Sequence, residues 1–318
     1  MEEIVLKNSD IKVSRICMGG CPMGGYGWGD TQENELIGAV HTALECGVNF
    51  FDTADTYGLG QSEITLGKAL EGKRQDVVIA SKFGVRIENG KTFYDNTPQW
   101  IEKALEGSLR RLGTDYIDLY QVHYRDGKTA LEDVVETLEK LKAKGYIRSY
   151  GLSNIHKEDI EEIIPFTGKF ASFQDEYSLA CRKNEADLLE ISEKLQMTPF
   201  TWGSLGQGIL TGKYTKENVC FESNDRRSRD IYVNFHGEKL MKNLEIVEHM
   251  KEIAEKYEKS VAAVAIRYIL DFIPESVVLC GAKRPSQILS NVEGSGWSLN
   301  KEDVEKLDGI SRDITSMD

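Results

Sequence analysis

The sequence has no excess of positive charge and no long apolar run, and both absences narrow what the protein can do. Acidic residues outnumber basic ones by 52 to 39, so the formal net charge is −13. This balance argues against nucleic acid or an anionic membrane surface as the main partner. The most apolar helical stretch, VAAVAIRYIL at 261–270, is too short to span a bilayer and contains Arg267. The N-terminus, MEEIVLKNSD, lacks a basic segment followed by an apolar one, so we expect no signal peptide.

Cysteine is also sparse, and its spacing indicates neither a disulfide framework nor a metal site. The six cysteines are scattered along 318 residues without CxxC spacing. Cys17 and Cys21 lack the second cysteine pair or paired histidines that a zinc site needs. We therefore predict reduced thiols, no metal and a cytoplasmic location.

What the sequence does contain is a repeated alternation of short β-branched runs and amphipathic stretches. Strands are predicted at 15–19, 48–52, 77–81, 117–123, 147–153, 170–174, 199–203 and 277–281. Helices are predicted at 32–46, 62–71, 98–112, 130–144, 156–164, 185–195, 239–257 and 260–270. The strand-to-strand spacing is about 30 residues over most of the chain, the size of a βα unit. Eight such units predict a (β/α)₈ TIM barrel that occupies residues 1–318 as a single domain.

A doubly wound parallel sheet is the alternative fold. It would require a glycine fingerprint after the first strand. The segment MGGCPMGGYGWGD, at 18–30, lacks both the GxGxxG order and a short turn into a helix. The barrel is therefore the favoured prediction.

Two segments depart from a plain barrel. Residues 1–14 are predicted to form a β-hairpin around Asn8 ahead of the first barrel strand. Residues 204–238 form a long polar connection after the seventh strand and carry the cationic run RRSRD. Long loops of this kind are often lids or binding loops, but a solvated surface turn explains the run equally well.

A polar set stands where neighbouring strands end, which is where the chemistry of a barrel is located. The stretch FFDTADTYGLGQSE ends the second strand with Asp52 and places Tyr57 just beyond it. The third strand ends in Lys82 and the fourth in His123. Each residue alone has a structural explanation, as a cap, a surface cation, a rim aromatic or a hydrogen-bonded histidine. Four of them on one rim point to a shared active site.

The chemistry of these four side chains is coherent. An aspartate would fix the lysine, and the lysine cation would lower the pKa of the tyrosine. The tyrosine would then act as a general acid, with a neutral histidine as a second hydrogen-bond donor to the same oxygen. Such a set suits a carbonyl that becomes an alkoxide.

Several further motifs, taken with these four residues, resemble the aldo-keto reductase superfamily. They are IASKFG, EGSLRRLGTDYIDLYQVH, YGLSN, FQDEYS, WGSLGQGILTGKY and CGAKRPSQILSN. The resemblance extends from about residue 3 to residue 310, and the GAKRP segment is typical of bacterial branches. It implies a barrel that binds NADP(H) without a Rossmann domain, with Asp52, Tyr57, Lys82 and His123 as the catalytic residues.

The resemblance also implies a set of cofactor-binding residues. For the nicotinamide end these are Ser153, Asn154, Gln174 and Trp202, with Trp202 where the family usually has a tyrosine. For the pyrophosphate and adenosine ends they are Ser204, Leu205, Gly208, Leu210, Gly212, Gly281, Lys283, Arg284, Gln287 and Asn291. Lys283 and Arg284 supply the charge for a 2′-phosphate, so we predict NADP(H), with NAD(H) as the other possibility.

The substrate is expected to be a small-molecule aldehyde, ketone or sugar-like carbonyl. Candidate substrate-binding residues are Tyr26, Trp28, Phe83 and Tyr124, together with the segment 221–235. The two aromatic residues after the first strand could instead pack loop against loop.

Three other functions remain open from the sequence. One is a cofactor-binding regulatory subunit of the same fold, like the potassium-channel β subunits. Another is a Schiff-base aldolase that uses Lys82. The third is a sugar or cyclitol dehydrogenase that works in the oxidising direction. We expect no nucleic-acid or membrane partner, and either a monomer or a small homo-oligomer.

Overall fold

The computed structural model describes residues 1–312, and within them eight parallel strands close into a barrel. In chain order the strands are β1 (Glu3–Val5), β2 (Lys12–Ser14), β3 (Ile16–Gly19), β4 (Phe50–Asp52), β5 (Val78–Phe83), β6 (Val85–Glu88), β7 (Lys91–Tyr94), β8 (Ile117–Val122), β9 (Ile147–Ser153), β10 (Ser172–Glu176), β11 (Thr198–Trp202) and β12 (Val277–Gly281). The barrel order is β3-β4-β5-β8-β9-β10-β11-β12, and β12 closes onto β3. The predicted (β/α)₈ barrel is confirmed.

Helices follow the barrel strands along the chain. They are α1 (Glu33–Glu45), α2 (Gln61–Ala69), α3 (Pro98–Leu112), α4 (Leu131–Ala143), α5 (Ile160–Ile163), α6 (Glu185–Leu195), α7 (Gly237–Tyr257), α8 (Val261–Phe272), α9 (Pro285–Val292) and α10 (Lys301–Arg312). Among these helices, none has the length and apolar character needed to cross a bilayer.

Local signals explain where the helices begin and end, as α3 illustrates. The Thr97 side chain accepts a hydrogen bond from the backbone N–H of Trp100, and proline follows at the first helical position. Gly113 ends the helix in the left-handed conformation at φ 66°. Its buried residues, which include Ile101 and Leu105, recur at helical spacing and face the barrel.

Alternation along the strands sorts side chains into the barrel interior or the layer beneath the helices. One apolar cluster fills the interior and contains Phe50 of β4, Leu119 of β8, and Val78 and Ala80, which lie two residues apart on β5. A larger cluster contains the intervening strand residues and the helix faces. Residues that continue the interior rows therefore reach the mouth of the barrel.

The predicted N-terminal hairpin is present, and it closes the opposite end of the barrel. Strands β1 and β2 pair antiparallel, and Leu6, Ile11 and Val13 join the interior cluster. The backbone N–H of Lys7 donates to the hydroxyl of Thr198 at the start of β11, at 2.9 Å. The hairpin is thus a floor beneath the interior side chains.

Several elements differ from the sequence-based assignment. Strand β5 continues to Phe83, two residues beyond the predicted end, and a second hairpin of β6 and β7 follows it directly. Helix α10 was not predicted. In the region of the predicted helix at 156–164, the four-residue α5 is flanked by two three-residue 3₁₀ segments.

Candidate active site

An ion pair between Asp52 and Lys82 lies at the base of the site. Asp52 continues the interior row of β4 and Lys82 that of β5, so both side chains point into the mouth of the barrel. The Lys82 Nζ lies 2.6 Å from Asp52 Oδ1, and both side chains are almost fully buried. A buried pair of charges is tolerated only if hydrogen bonds satisfy the remaining atoms.

Those additional hydrogen bonds are present. The Lys82 ammonium also donates to the backbone carbonyl of Thr53 at 2.9 Å. The other carboxylate oxygen of Asp52 accepts from the side-chain amides of Gln174 at 3.1 Å and Gln121 at 3.3 Å. The charge of Asp52 and the direction of Lys82 are therefore fixed by contacts among four barrel strands and one loop.

Tyr57 is the third hydrogen-bond partner of the Lys82 ammonium. Its hydroxyl accepts a hydrogen bond from Lys82 Nζ at 3.3 Å. The loop that carries Tyr57 passes so close to the first loop of the barrel that a Cβ at Gly24 would lie 2.6 Å from the backbone N of Gly58. Glycine at both positions lets the loop fold back over the mouth.

The environment of Tyr57 changes one expectation. Burial, and then the charge of Asp52, raise the pKa of the Tyr57 phenol well above its usual value. The predicted lowering by Lys82 is wrong for this arrangement, because Asp52 already compensates the ammonium charge and desolvation disfavours the phenolate. The hydroxyl is consequently protonated at neutral pH.

His123 follows β8 and continues the interior row that runs through Leu119 and Gln121. Burial, and then the Lys82 charge, lower the pKa of its imidazole well below 6.5, so the ring is neutral. The ring lies edge-on to Tyr57, with centroids 5.8 Å apart. Its Nδ1 atom is buried and has no hydrogen-bond partner among residues 1–312.

A cavity of about 700 Å³ opens over these residues and extends toward α9. The predicted cofactor residues in its lining are Ser153, Asn154, Gln174, Trp202, Ser204, Leu205, Gly208, Gly281, Lys283, Gln287 and Asn291. Three others lie elsewhere: Leu210 is buried in the core, Gly212 packs against Val261, and Arg284 immediately precedes α9.

Of the four predicted substrate residues, two line the cavity and two do not. Trp28 and Tyr124 line the cavity. Phe83 is fully buried and packs on Tyr120 with ring centroids 4.7 Å apart, because it points outward where its neighbour Lys82 points inward. Tyr26 is 63% exposed and lies outside the cavity lining.

The long loop after β11 meets the first barrel loop above the cavity. Trp28 and Asp225 form an isolated β-bridge, and the backbone N–H of Arg226 donates to the carbonyl of Gly27 at 3.0 Å. Lys283 Nζ reaches across to donate to the carbonyl of Trp28 at 2.6 Å. Part of the RRSRD run therefore belongs to the roof of the cavity.

Lys213 is a cation of the cavity that the sequence reasoning missed. Burial, and then repulsion by Arg227, Lys283 and Arg284, lower the pKa of Lys213 to about 8. Its position in ILTGKY, within a stretch already assigned to pyrophosphate, was the signal that could have identified it. Gln121 was also missed, although it stands two residues before His123 on the same strand face.

The donor set of the cavity fits an anionic dinucleotide. Mutually repelling cations surround one end, and a polyphosphate there would relieve that repulsion. The buried side-chain nitrogen of Asn291 has no hydrogen-bond partner within the described residues and lies in the cavity lining. In residues 1–312, no group of three or more His, Cys, Asp and Glu side chains is placed to hold a metal ion.

Comparisons with known proteins agree with this geometry. A sequence model of the Aldo/keto reductase family matches residues 15–312. The aldo-keto reductase YhdN of Bacillus subtilis is 35% identical, with 99% of this chain and 95% of the relative aligned. The NADH-specific methylglyoxal reductase of Escherichia coli is 29% identical, with 96% of each chain aligned. The glycerol dehydrogenase AKR11B4 of Gluconobacter oxydans superimposes with a TM-score of 0.88 at 34% identity, over 98% of this chain and 96% of that one.

Proposed function

The chain belongs to the aldo-keto reductase family, and from that premise we propose that it is an NADP(H)-dependent oxidoreductase in which Tyr57 protonates a carbonyl oxygen. One observation carries the proposal. A buried ammonium contacts both a carboxylate and a tyrosine hydroxyl at the mouth of a barrel, within 2.6 and 3.3 Å respectively. This arrangement supports a general acid whose conjugate base forms beside a fixed positive charge.

The protein's own residues supply the proton chemistry. A bound reduced nicotinamide supplies the hydride to the carbonyl carbon. Tyr57, kept protonated by burial, donates its proton to the carbonyl oxygen as negative charge develops there. Lys82 stabilises the phenolate that remains. Asp52 keeps the Lys82 ammonium charged and oriented toward the Tyr57 hydroxyl.

His123 acts on the same oxygen as a neutral donor. An N–H buried without an acceptor is costly, so the proton of the neutral ring belongs on Nε2 rather than on the unpartnered, buried Nδ1. Nε2–H can then donate to the developing alkoxide. The oxidising direction reverses these steps with the same residues.

The cofactor would be held along the cavity. Ser153, Asn154 and Gln174 would contact the carboxamide, and Trp202 would stack on the nicotinamide ring. The stretch from Ser204 to Lys213 would hold the pyrophosphate, and the segment from Gly281 to Asn291 the adenosine end. Leu210 and Gly212 would support that stretch from behind.

Lys283 and Arg284 support a preference for NADP(H), because they immediately precede α9 and Lys283 lines the cavity. One relative is named as NADH-specific, so NAD(H) is the competing cofactor. Equal kcat/KM for NADPH and NADH would contradict the preference.

The decisive experiment compares the parent chain with Tyr57→Phe on a panel of aldehydes, ketones and sugars, followed by NADPH absorbance. We expect turnover to fall by about 10²- to 10⁴-fold, the usual contribution of a general acid, while NADPH affinity is kept. Turnover that survives the substitution would contradict the role of Tyr57. Tight NADPH binding without any turnover would favour the regulatory subunit.

Polyol oxidation is the second candidate activity. A solved relative at 34% identity is a glycerol dehydrogenase, which favours polyols and their carbonyl products among the possible substrates. Oxidation of glycerol with NADP⁺ or NAD⁺ belongs in the same panel. A rate with glycerol above that with every carbonyl would favour this direction.

We further propose a single catalytic domain, and we note that residues 313–318 of the predicted 1–318 lie outside the described residues. None of the six cysteines, all within residues 1–312, forms a disulfide, which supports a reducing compartment such as the cytoplasm. The net charge of −13 supports the absence of a nucleic-acid partner. Monomer and small homo-oligomer are both compatible with the charged outer helices.

A further inference from the structure

The hairpin of β6 and β7, residues 85–94, contacts the active site although its sequence was assigned no function. It leaves the barrel directly after β5, which carries Lys82. Asn89 and Gly90 form its turn with φ of 51° and 73°, and Val85 pairs with Tyr94 at its base. Tyr94 is therefore held at the edge of the barrel mouth.

The base of the hairpin is tied to the segment that follows His123. Asn96 is fully buried, and its amide nitrogen donates to the carbonyl of Tyr124 at 3.1 Å. Asn96 and Asp126 exchange two further hydrogen bonds of 2.8 Å between backbone N–H groups and side chains. A Cβ at Gly84 would lie 2.5 Å from the Asn96 amide, so only glycine lets the two segments approach this closely.

Three rings stack across this junction. The rings of His123 and Tyr124 have centroids 5.1 Å apart at an interplanar angle of 24°. Tyr124 and Tyr94 stack likewise, at 5.1 Å and 27°. His123 also contacts Tyr57, in a T-shaped arrangement with an interplanar angle of 83°.

This stack replaces the usual way of fixing a functional histidine. Such a ring is normally oriented by a hydrogen bond from its second nitrogen to a carbonyl or carboxylate. Here Nδ1 has no such partner in the part of the chain that the structure describes. Ring packing is the contact that the structure shows for the imidazole of His123, and Tyr124 is itself stacked on Tyr94.

We propose that Tyr94 is a positioning residue for His123, acting through Tyr124. The proposal rests on the proposed function, in which His123 donates a hydrogen bond to the reacting oxygen. Tyr94 is 45% exposed and outside the cavity lining, so it acts without touching the substrate or the nucleotide.

The test compares Tyr94→Ala, Tyr94→Phe and Tyr146→Ala with the parent chain. Tyr146 is also 45% exposed, but it precedes β9 at the opposite end of the barrel, which makes it a matched control. We expect Tyr94→Ala to lower kcat by about 3- to 10-fold, the rate equivalent of one stacked ring pair, with KM for carbonyl and NADPH unchanged. Tyr94→Phe should restore kcat, because stacking needs the ring and not the hydroxyl, and Tyr146→Ala should have no effect.

Ring NMR signals of His123 give a readout that does not depend on turnover. They should shift in Tyr94→Ala and remain at parental positions in Tyr94→Phe and Tyr146→Ala. Unchanged signals together with unchanged kcat would overturn the proposal. A rise in carbonyl KM at constant kcat would also overturn it, by making Tyr94 a substrate contact.

Failure of the proposed function would look different. In that case the parent chain would reduce no carbonyl, yet the His123 signals would still report whether Tyr94 orders the ring. Melting temperature and NADPH affinity of Tyr94→Ala, measured beside the parent, show whether the hairpin itself has lost its structure.

Discussion

Two buried acidic residues flank the loop 53–60, and their surroundings differ in one respect that separates chemistry from structure. Asp52 ends β4 and pairs with Lys82, whereas Glu63 lies in the first turn of α2 and is also fully buried. Glu63 accepts hydrogen bonds from Ser81 at 2.5 Å and Arg111 at 2.6 Å. Ser81 and Lys82 are neighbours on β5 and point to opposite faces of the strand. One face therefore contacts Glu63 and the other contacts Asp52.

The two pairs differ in the further hydrogen-bond partners of their cations, Lys82 and Arg111. The Lys82 ammonium has a third partner, the Tyr57 hydroxyl, which lines the cavity and can lose a proton. The Arg111 guanidinium reaches only Glu63 and the hydroxyl of Ser108, through the hydrogen bonds seen in residues 1–312. A buried pair with a titratable third member on a cavity is suited to catalysis, and a pair closed on itself is suited to holding a loop in place.

Breaking the ion pair between Asp52 and Lys82 should have the largest effect on stability and turnover. Lys82→Met leaves Asp52 buried without its counter-ion, so we expect the free energy of unfolding to fall by about 3–5 kcal/mol. Turnover should fall by about 10²- to 10⁴-fold, since the phenolate of Tyr57 loses its stabilising charge. Denaturant unfolding and carbonyl reduction measure the two effects.

A double variant separates the loss of stability from the loss of turnover. Asp52→Asn combined with Lys82→Met removes both charges and should regain most of the stability while turnover stays lost. If the double variant were no more stable than Lys82→Met, the pair would not be the source of the instability.

Breaking the ion pair between Glu63 and Arg111 should affect stability alone. In Glu63→Gln the amide cannot compensate Arg111, and we expect the free energy of unfolding to fall by about 1–3 kcal/mol while kcat per folded molecule is kept. Glu252→Gln, which loses an exposed contact with Lys306, is the control and should change little. A fall in kcat for Glu63→Gln as large as that for Lys82→Met would abolish the distinction between the two sites.

Asp55 lies between the two pairs, and its effect should fall on stability and appear as a pH dependence. Burial, and then repulsion by Glu63, raise the pKa of Asp55 from 3.8 to about 8. Between these values the folded chain keeps a proton that the unfolded chain releases, so this group lowers stability progressively as the pH rises, with no further change above about 8.

Asp55→Asn lacks this titration. Its melting temperature should exceed that of the parent increasingly from about pH 5 to about pH 8, and the gap should then stay constant. A gap that does not depend on pH would show that Asp55 is ionised in the folded chain.

The barrel was predictable because its signals are local and repeated. Strands β9 and β12 and helices α3 and α6 have the bounds that were predicted, and each has a run or a spacing that belongs to one structure only. The four rim residues could be brought together because parallel strands end at one mouth. Their assignment as catalytic residues is still a prediction.

Other features depend on information that no local pattern carries. The predicted end of β5 at residue 81 concealed which way Phe83 points, although alternation beyond Lys82 turns it outward. The raised pKa of Tyr57 follows from how deeply the folded chain buries it, and sequence neighbours do not report burial. The hairpin 85–94 was a different kind of miss, because Asn89-Gly90 between alternating residues is a recognised turn signal.

The floor formed by β1 and β2 closes one end of the barrel, and the cavity over Asp52 lies at the other end. We therefore expect ligands to enter the cavity from that end and to pass residues of its lining such as Trp28 and Tyr124. A ligand that lies deepest in the cavity is then expected to enter before, and to leave after, a ligand that lies nearer the rim.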